Sequence, residues 1–175
     1  MVMSKSAVIQ IVGYKNSGKT TLIGKLLESF KAMNLQVAVI KHDAHGFEMD
    51  REGTDTYSHH QHGAAAIAIT SPYRTAVIEE QATSLVQLIE RFKCYDLILV
   101  EGFKREAYPK IVLLRGREDL SLLQELSQVR AYVTRNQDGS RVRAIAAPPL
   151  HFGADESQQI AAWIAREAGI ASPAP

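Results

Sequence analysis

The residues Gly13-Tyr14-Lys15-Asn16-Ser17-Gly18-Lys19-Thr20 place two glycines, a lysine and a hydroxyl at a spacing suited to holding a polyphosphate. The pattern is G-x-x-x-x-G-K-[ST], and each position has a physical task. Gly13 and Gly18 let the backbone turn and approach a ligand without a Cβ, so that successive amide N–H groups can point at phosphate oxygens. Lys19 supplies a point charge for the outer phosphates, Thr20 a hydroxyl ligand for Mg2+, and a helix starting here adds its positive end. The expected ligand is a nucleotide.

A second group of residues suits the other half of such a site. LILVEG, residues 97–102, delivers Glu101 at the end of an apolar run, where a neighbouring strand would bring a carboxylate near the metal. The usual residue there is aspartate; Glu101 is one methylene longer, and reaches the metal through water or orients an attacking water. Gly102 would let its N–H swing toward a terminal phosphate. Asp43 is the alternative catalytic or magnesium carboxylate, and Asp55 is read as a cap of the helix it begins. Lys15, Lys41, Lys104 and Arg105 are expected to converge beside the loop, beyond what one triphosphate requires, with His42 on the same strand edge. Five of the six histidines fall within residues 42–62, and Asp55, His59 and His62 share one helical face at a spacing that suits a transition metal; surface imidazoles are the plain alternative. Base identity stays open: Thr134-Arg135-Asn136-Gln137-Asp138 nears a guanine-reading pattern, but Asp138 is one position too far along.

The elements that position these groups follow from periodicity. Residues 8–12 read as a buried strand and Lys19 to Met33 as a helix, with apolar residues recurring at helical spacing and Asn34 as terminator. Residues 36–40 form a second strand, followed by a polar loop to Gly53 that is a candidate ordering element. A short helix is predicted over 54–62, strands over 64–70 and 73–80 joined at Ser71-Pro72, and a helix over 84–92. Residues 95–100, a nearly continuous apolar run, read as a strand of a parallel sheet covered on both faces. Strands over 110–114 and 129–134, with a helix over 119–128 between them, and a helix over 155–168 complete the pattern, with residues 171–175 frayed. This is an α/β doubly wound, mainly parallel sheet of P-loop NTPase type with an inserted antiparallel β-hairpin, in one domain over 1–175.

Composition excludes several classes. The chain has 175 residues, 46% apolar and 22% charged, as ordinary globular proteins do. Its formal charge of +1 provides no global field for nucleic acid or anionic lipid. Cys94 is the only cysteine, which excludes an internal disulfide and suits a reducing compartment. No signal pattern and no membrane-length apolar run is seen, so a cytoplasmic location is expected.

In order, GYKNSGKTTL, VIKHDAHG, GTDTYSHHQHGA and YDLILVEGFKREAYPKIVLLR resemble the molybdopterin-guanine dinucleotide biosynthesis protein B family, over residues 8–135. LVEGFK followed by PKIVL is more telling than the phosphate loop, which many families share. The resemblance implies GTP and Mg2+ as cofactors, slow GTP hydrolysis, a homodimer, and a role assisting a guanylyltransferase, protein A of the pathway, that joins GMP to molybdopterin. It implies that Gly13, Tyr14, Lys15, Asn16, Ser17, Gly18, Lys19, Thr20 and Thr21 carry the nucleotide, and Thr20 and Glu101 the metal. The edge from Lys41 and His42 to Lys104 would face nucleotide or pterin phosphate, and the 64–80 hairpin would be a dimer-forming arm. Dimeric proteins of the wider class carry a lysine second in the loop that reaches the partner's nucleotide. Here Tyr14 is second and Lys15 third, so that role is not carried over. Two rival readings of the residues remain: a small-molecule kinase holding its acceptor on the basic edge, and a metal-handling GTPase using the histidines.

Overall fold

The structure, a computed structural model, describes residues 6–43, 45–135 and 150–170. It divides into two compact units, one running to His42 and resuming at Leu88, the other spanning Asp43–Gln87.

The first unit is built on a parallel six-stranded sheet. Its strands are β1 (Ala7–Gly13), β2 (Val37–Lys41), β5 (Leu97–Glu101), β6 (Lys110–Leu114), β7 (Val129–Thr134) and β8 (Leu150–Gly153), in the spatial order β2-β5-β1-β6-β7-β8. Every residue of β5 and β6 is buried, as their continuous apolar runs require of strands covered on both faces. Successive side chains alternate between the faces. Ile9, Ile11, Leu97, Leu99, Ile111 and Leu113 point to one side, where α1 (Lys19–Ala32) and α5 (Ser157–Glu167) cover them with Leu26, Phe30, Ile160 and Ile164. Val12, Val112, Leu114 and Tyr132 point to the other and meet Leu122 of α4 (Leu122–Glu125). The α/β doubly wound architecture is therefore present.

The second unit holds α2 (Asp55–Gln61) and the antiparallel pair β3 (Ala66–Ser71) and β4 (Arg74–Glu79), the inserted hairpin. The helix α3 (Leu85–Arg91) follows. Ser71 pairs with Arg74, so the two-residue turn is Pro72-Tyr73, one residue later than the sequence reading. Thr54, not Asp55, caps α2: its hydroxyl accepts from the Tyr57 N–H at 3.3 Å.

Two elements differ from the periodicity. The helix expected over 119–128 contracts to a 3₁₀ turn at Arg117–Asp119 and the four residues of α4. Asp119 turns inward to bond Arg115, and Leu126 is already extended. β8 was not anticipated, because only Phe152 of its four residues is buried and a strand that short carries no periodic signal. The tail 171–175, the N-terminal residues 1–5 and the Asn136–Asp138 stretch lie outside the described residues. Among the described residues no helix is long and apolar enough to cross a membrane.

Candidate functional site

Parallel register sets the carboxyl ends of four strands side by side. Lys41 of β2 pairs with Glu101 of β5, Glu101 with Ile11 of β1, and Gly13 of β1 with Leu113 of β6. The Gly13–Thr20 loop rises from the middle of this row, where open α/β sheets bind ligands. The strand ending in Glu101 is thus the immediate neighbour of the loop strand, as the sequence required.

Within the loop, a Cβ on residue 13 would sit 2.7 Å from the Leu113 carbonyl oxygen, so only glycine fits between the strands. Asn16 and Gly18 adopt left-handed backbone conformations, with φ of 62° and 96°. The Ser17 N–H donates to the Tyr14 carbonyl at 3.3 Å and closes the bend. Ser17 is buried, and its hydroxyl has no hydrogen-bond partner. The helix α1 has Gly18 as its N-cap, with no side-chain cap and no acidic residue in its first turn, so the N–H groups of that turn and the positive end of the dipole are uncompensated by side chains. An unpartnered buried hydroxyl, a glycine cradle and an uncapped helix start together fit an anion.

Lys19 donates to the carbonyls of Gly13 and Tyr14 at 3.2 and 2.8 Å, which parks its ammonium over the loop. Burial pushes its pKa down; Glu101 opposes this, and the like charges of Lys104 and Lys41 add to it. The Thr20 hydroxyl donates to Glu101 Oε1 at 3.2 Å, and Glu101 is buried at the sheet edge. A hydroxyl and a carboxylate so close form the oxygen pair a hard divalent cation takes, with water completing its shell.

Other predicted residues fall into place differently. The Gly102 N–H donates to the Ile11 carbonyl at 3.1 Å and so stays within the sheet rather than swinging toward a phosphate. What Gly102 provides instead is close approach: with φ 95°, a Cβ there would meet His42 Cβ at 3.2 Å. The His42 ring lies 4.5 Å from that of Phe103, and the His42 N–H bonds the Glu101 carbonyl. Lys104 places its ammonium 4.1 Å above the Tyr14 ring. Lys15 and Arg105 are exposed, as are Tyr14, Asn16, Thr20, Thr21, Lys41 and His42. Asp43 belongs to the other unit, where its carboxylate accepts from the His45 N–H at 3.0 Å. Asp55, His59 and His62 do not combine as a ligand set, and among the described residues no group of three or more His, Cys, Asp or Glu side chains could hold a metal ion.

Several contributors were not anticipated. Gln10, fully buried inside an apolar strand, donates to the Gly102 and Phe103 carbonyls at 3.1 and 2.8 Å and accepts from the Tyr108 N–H. Lys110, equally buried, donates to the Glu106 and Tyr108 carbonyls. Both pin the 102–109 crossing that carries Lys104. A cleft of about 140 Å³ opens on the far side of the loop, lined by Ser17, Thr21, Leu113, Thr134 and Arg135 among others. The signals for Gln10 and Lys110 were a polar residue at an apolar strand's centre and a lysine opening a buried strand.

The profile of the family described as molybdopterin guanine dinucleotide synthesis protein B matches residues 8–135. The chain belongs to this family. It is 39% identical over 112 residues to the molybdopterin-guanine dinucleotide biosynthesis adapter protein of Haemophilus influenzae, covering 62% of this chain and 63% of that one. It is 36% identical over 124 residues to the probable adapter protein of the same name from Bacillus subtilis, covering 69% of this chain and 72% of that one. Among solved structures, MobB from Bacillus subtilis superposes with a TM-score of 0.73 at 31% identity, over 93% of this chain and 97% of that one. A MobB homolog from Bacillus stearothermophilus gives 0.69 at 26% identity, over 94% and 99%. The family profile ends at residue 135, so β8 and α5 lie beyond it while the whole glycine–lysine loop and Glu101 lie within it.

Proposed function

We propose that the chain is a GTP-binding adapter of molybdopterin-guanine dinucleotide biosynthesis, assisting a guanylyltransferase that attaches GMP to molybdopterin. The observation that carries the nucleotide part is the loop itself: an unpartnered buried Ser17 hydroxyl, a glycine where any Cβ would press on the Leu113 carbonyl of β6, and Lys19 held over an uncapped helix start. Thr20 and Glu101 would hold Mg2+, and Lys19, now bound to two carbonyls, would exchange them for phosphate oxygens. The nucleoside end would enter the cleft beside Thr21, Thr134 and Arg135. The guanine preference and the adapter role rest on the relatives' names, and the location proposed is cytoplasmic.

Turnover would be slow. Glu101 is the proposed carboxylate of the site, and its Oε1 accepts from the Thr20 hydroxyl, which suits it to the metal rather than to the work of a general base. The hairpin β3–β4 would pair two copies of the chain: Ile69, Tyr73 and Val77 are all exposed on it, and an isolated two-stranded hairpin is marginal without further cover. The direct test is co-purification with the guanylyltransferase in the presence of a nonhydrolysable GTP analogue, GDP or no nucleotide. Capture strengthened by the triphosphate is the expected result, and capture indifferent to nucleotide would contradict a nucleotide-controlled adapter.

A further inference from the structure

Arg115 follows β6 directly, one strand away from the glycine loop on the side opposite Glu101. Its guanidinium is set by Asp119, which is wholly buried: Nε donates to Oδ2 at 2.9 Å, Nη2 to Oδ1 at 2.7 Å, and the Arg115 backbone N–H to Oδ2 at 2.9 Å. That bidentate bond fixes one edge of the fork in position. The guanidinium carbon then lies 5.1 Å from the centroid of the Tyr14 ring, the second residue of the loop. The Arg115 side chain remains 39% exposed although its partner Asp119 is wholly buried.

Lys104 comes to the same ring from the β5 side, its ammonium 4.1 Å from the Tyr14 centroid. Its charge adds to the lowering of the pKa at Lys19, where burial is the larger cause, and at Asp119, where the Arg115 hydrogen bond is. Cations around the loop thus include Lys15, Lys19, Lys41, Lys104, Arg115 and Arg135, and the carboxylates acting on them include Glu101, Glu118 and Asp119. The chain as a whole carries only +1. Lys19 serves the loop. Lys104 and Arg115 are gathered over one aromatic ring; Asp119 orients the arginine, and the Glu118 carboxylate also acts on it more weakly.

We propose that Lys104 and Arg115, laid over Tyr14 and with Asp119 as the residue that positions the arginine, form a second anion site for the phosphate monoester of a second substrate. The inference rests on the glycine loop being the nucleotide site, because it assigns these cations to a group the nucleotide does not supply. Arginine suits a planar, two-point grip on phosphate, and its orienting carboxylate removes the entropic cost of placing it.

The probe is inorganic phosphate, titrated calorimetrically into protein saturated with Mg2+ and a nonhydrolysable GTP analogue, so that the terminal-phosphate position is filled. A second arm uses nucleotide-free Lys19→Ala. Phosphate is expected to bind in both arms, and Arg115→Met is expected to weaken it at least about tenfold in both while changing analogue affinity less than about twofold. Asp119→Asn should weaken phosphate alone, but add nothing in an Arg115→Met background, a coupling that a merely structural aspartate would not show. No phosphate binding in either arm, or equal binding by Arg115→Met, overturns the proposal. So does an Arg115→Met variant that loses the triphosphate analogue but not GDP, which would assign the arginine to the nucleotide's own terminal phosphate. If the analogue fails to bind at all, the nucleotide reading fails and the Lys19→Ala arm alone decides the second site.

Discussion

Two glycines near the start of α1 should respond to the same substitution with opposite signs. A Cβ at residue 13 would stand 2.6 Å from Ser17 Oγ and 2.7 Å from the Leu113 carbonyl oxygen, whereas one at residue 24 meets nothing within 4 Å. Ordinary carbon contacts lie at about 3.5–4.0 Å, so Gly13→Ala must displace something by most of an ångström. The serine hydroxyl can rotate away. The Leu113 carbonyl cannot, because that residue is in register with Gly13 on one side and Val133 on the other, inside a fully buried strand. Overpacking of this kind costs about 1–3 kcal/mol. For a domain of this size each kcal/mol moves the melting temperature by about 2–4 °C, so Gly13→Ala should melt about 2–12 °C lower. Gly24 lies exposed within the helix, and Gly24→Ala should gain about 0.5–1 kcal/mol, or about 1–4 °C. Thermal melts followed by circular dichroism read both, and nucleotide titration should show Gly13→Ala weakened and Gly24→Ala unchanged. A Gly13→Ala variant that melts at or above the parent and binds nucleotide normally would refute the reasoning that this loop is fitted against β6.

Three further outcomes follow from the site. Glu101→Gln should leave the fold intact while raising the Mg2+ concentration needed for nucleotide binding by about tenfold, read by metal titration at fixed nucleotide; unchanged metal dependence would take Glu101 out of the site. Because burial holds the Lys19 pKa below its usual 10.5, the folded chain loses that proton before the unfolded chain does. Stability from this residue therefore rises with pH between the lowered value and 10.5, while triphosphate affinity falls over the same window; alkaline titration of both quantities in the parent and in Lys19→Ala checks the pairing. Gln10→Ala strands the Tyr108 N–H and the Gly102 and Phe103 carbonyls, costing about 1–3 kcal/mol in urea unfolding and lowering nucleotide affinity by loosening the Lys104 crossing.

How much was legible in the sequence depends on where the information sits along the chain. The glycine–lysine loop, its flanking strand and helix, and the buried run ending in Glu101 are local patterns, and the structure places them as those patterns require. The pairing of β5 with β1 followed from the chemistry of a metal-bound phosphate rather than from periodicity. The Arg115–Asp119 pair was hidden because an aspartate in a helical pattern reads as solvated, and only the inward turn of the chain shows it buried. Gln10 and Lys110 were hidden for a related reason: each satisfies backbone groups of a loop nearly a hundred residues away or just beside it, and periodicity carries no record of that. Arg105 looked like part of the basic edge by adjacency to Lys104, yet it is Arg115, ten positions on and across the sheet, that meets the Tyr14 ring. Gly102 was read as a flexible amide donor, and its amide proved to be a fixed sheet donor to Ile11.

The measurement that bears most directly on the whole account is calorimetric titration of Mg2+ and a nonhydrolysable GTP analogue into the parent chain and into Lys19→Ala, with a melt confirming that both are folded. The account predicts saturable binding by the parent, weakened at least about tenfold in the variant by loss of a charge-assisted bond to phosphate. A parent chain that takes up no nucleotide, or a folded Lys19→Ala that binds it equally well, would contradict it.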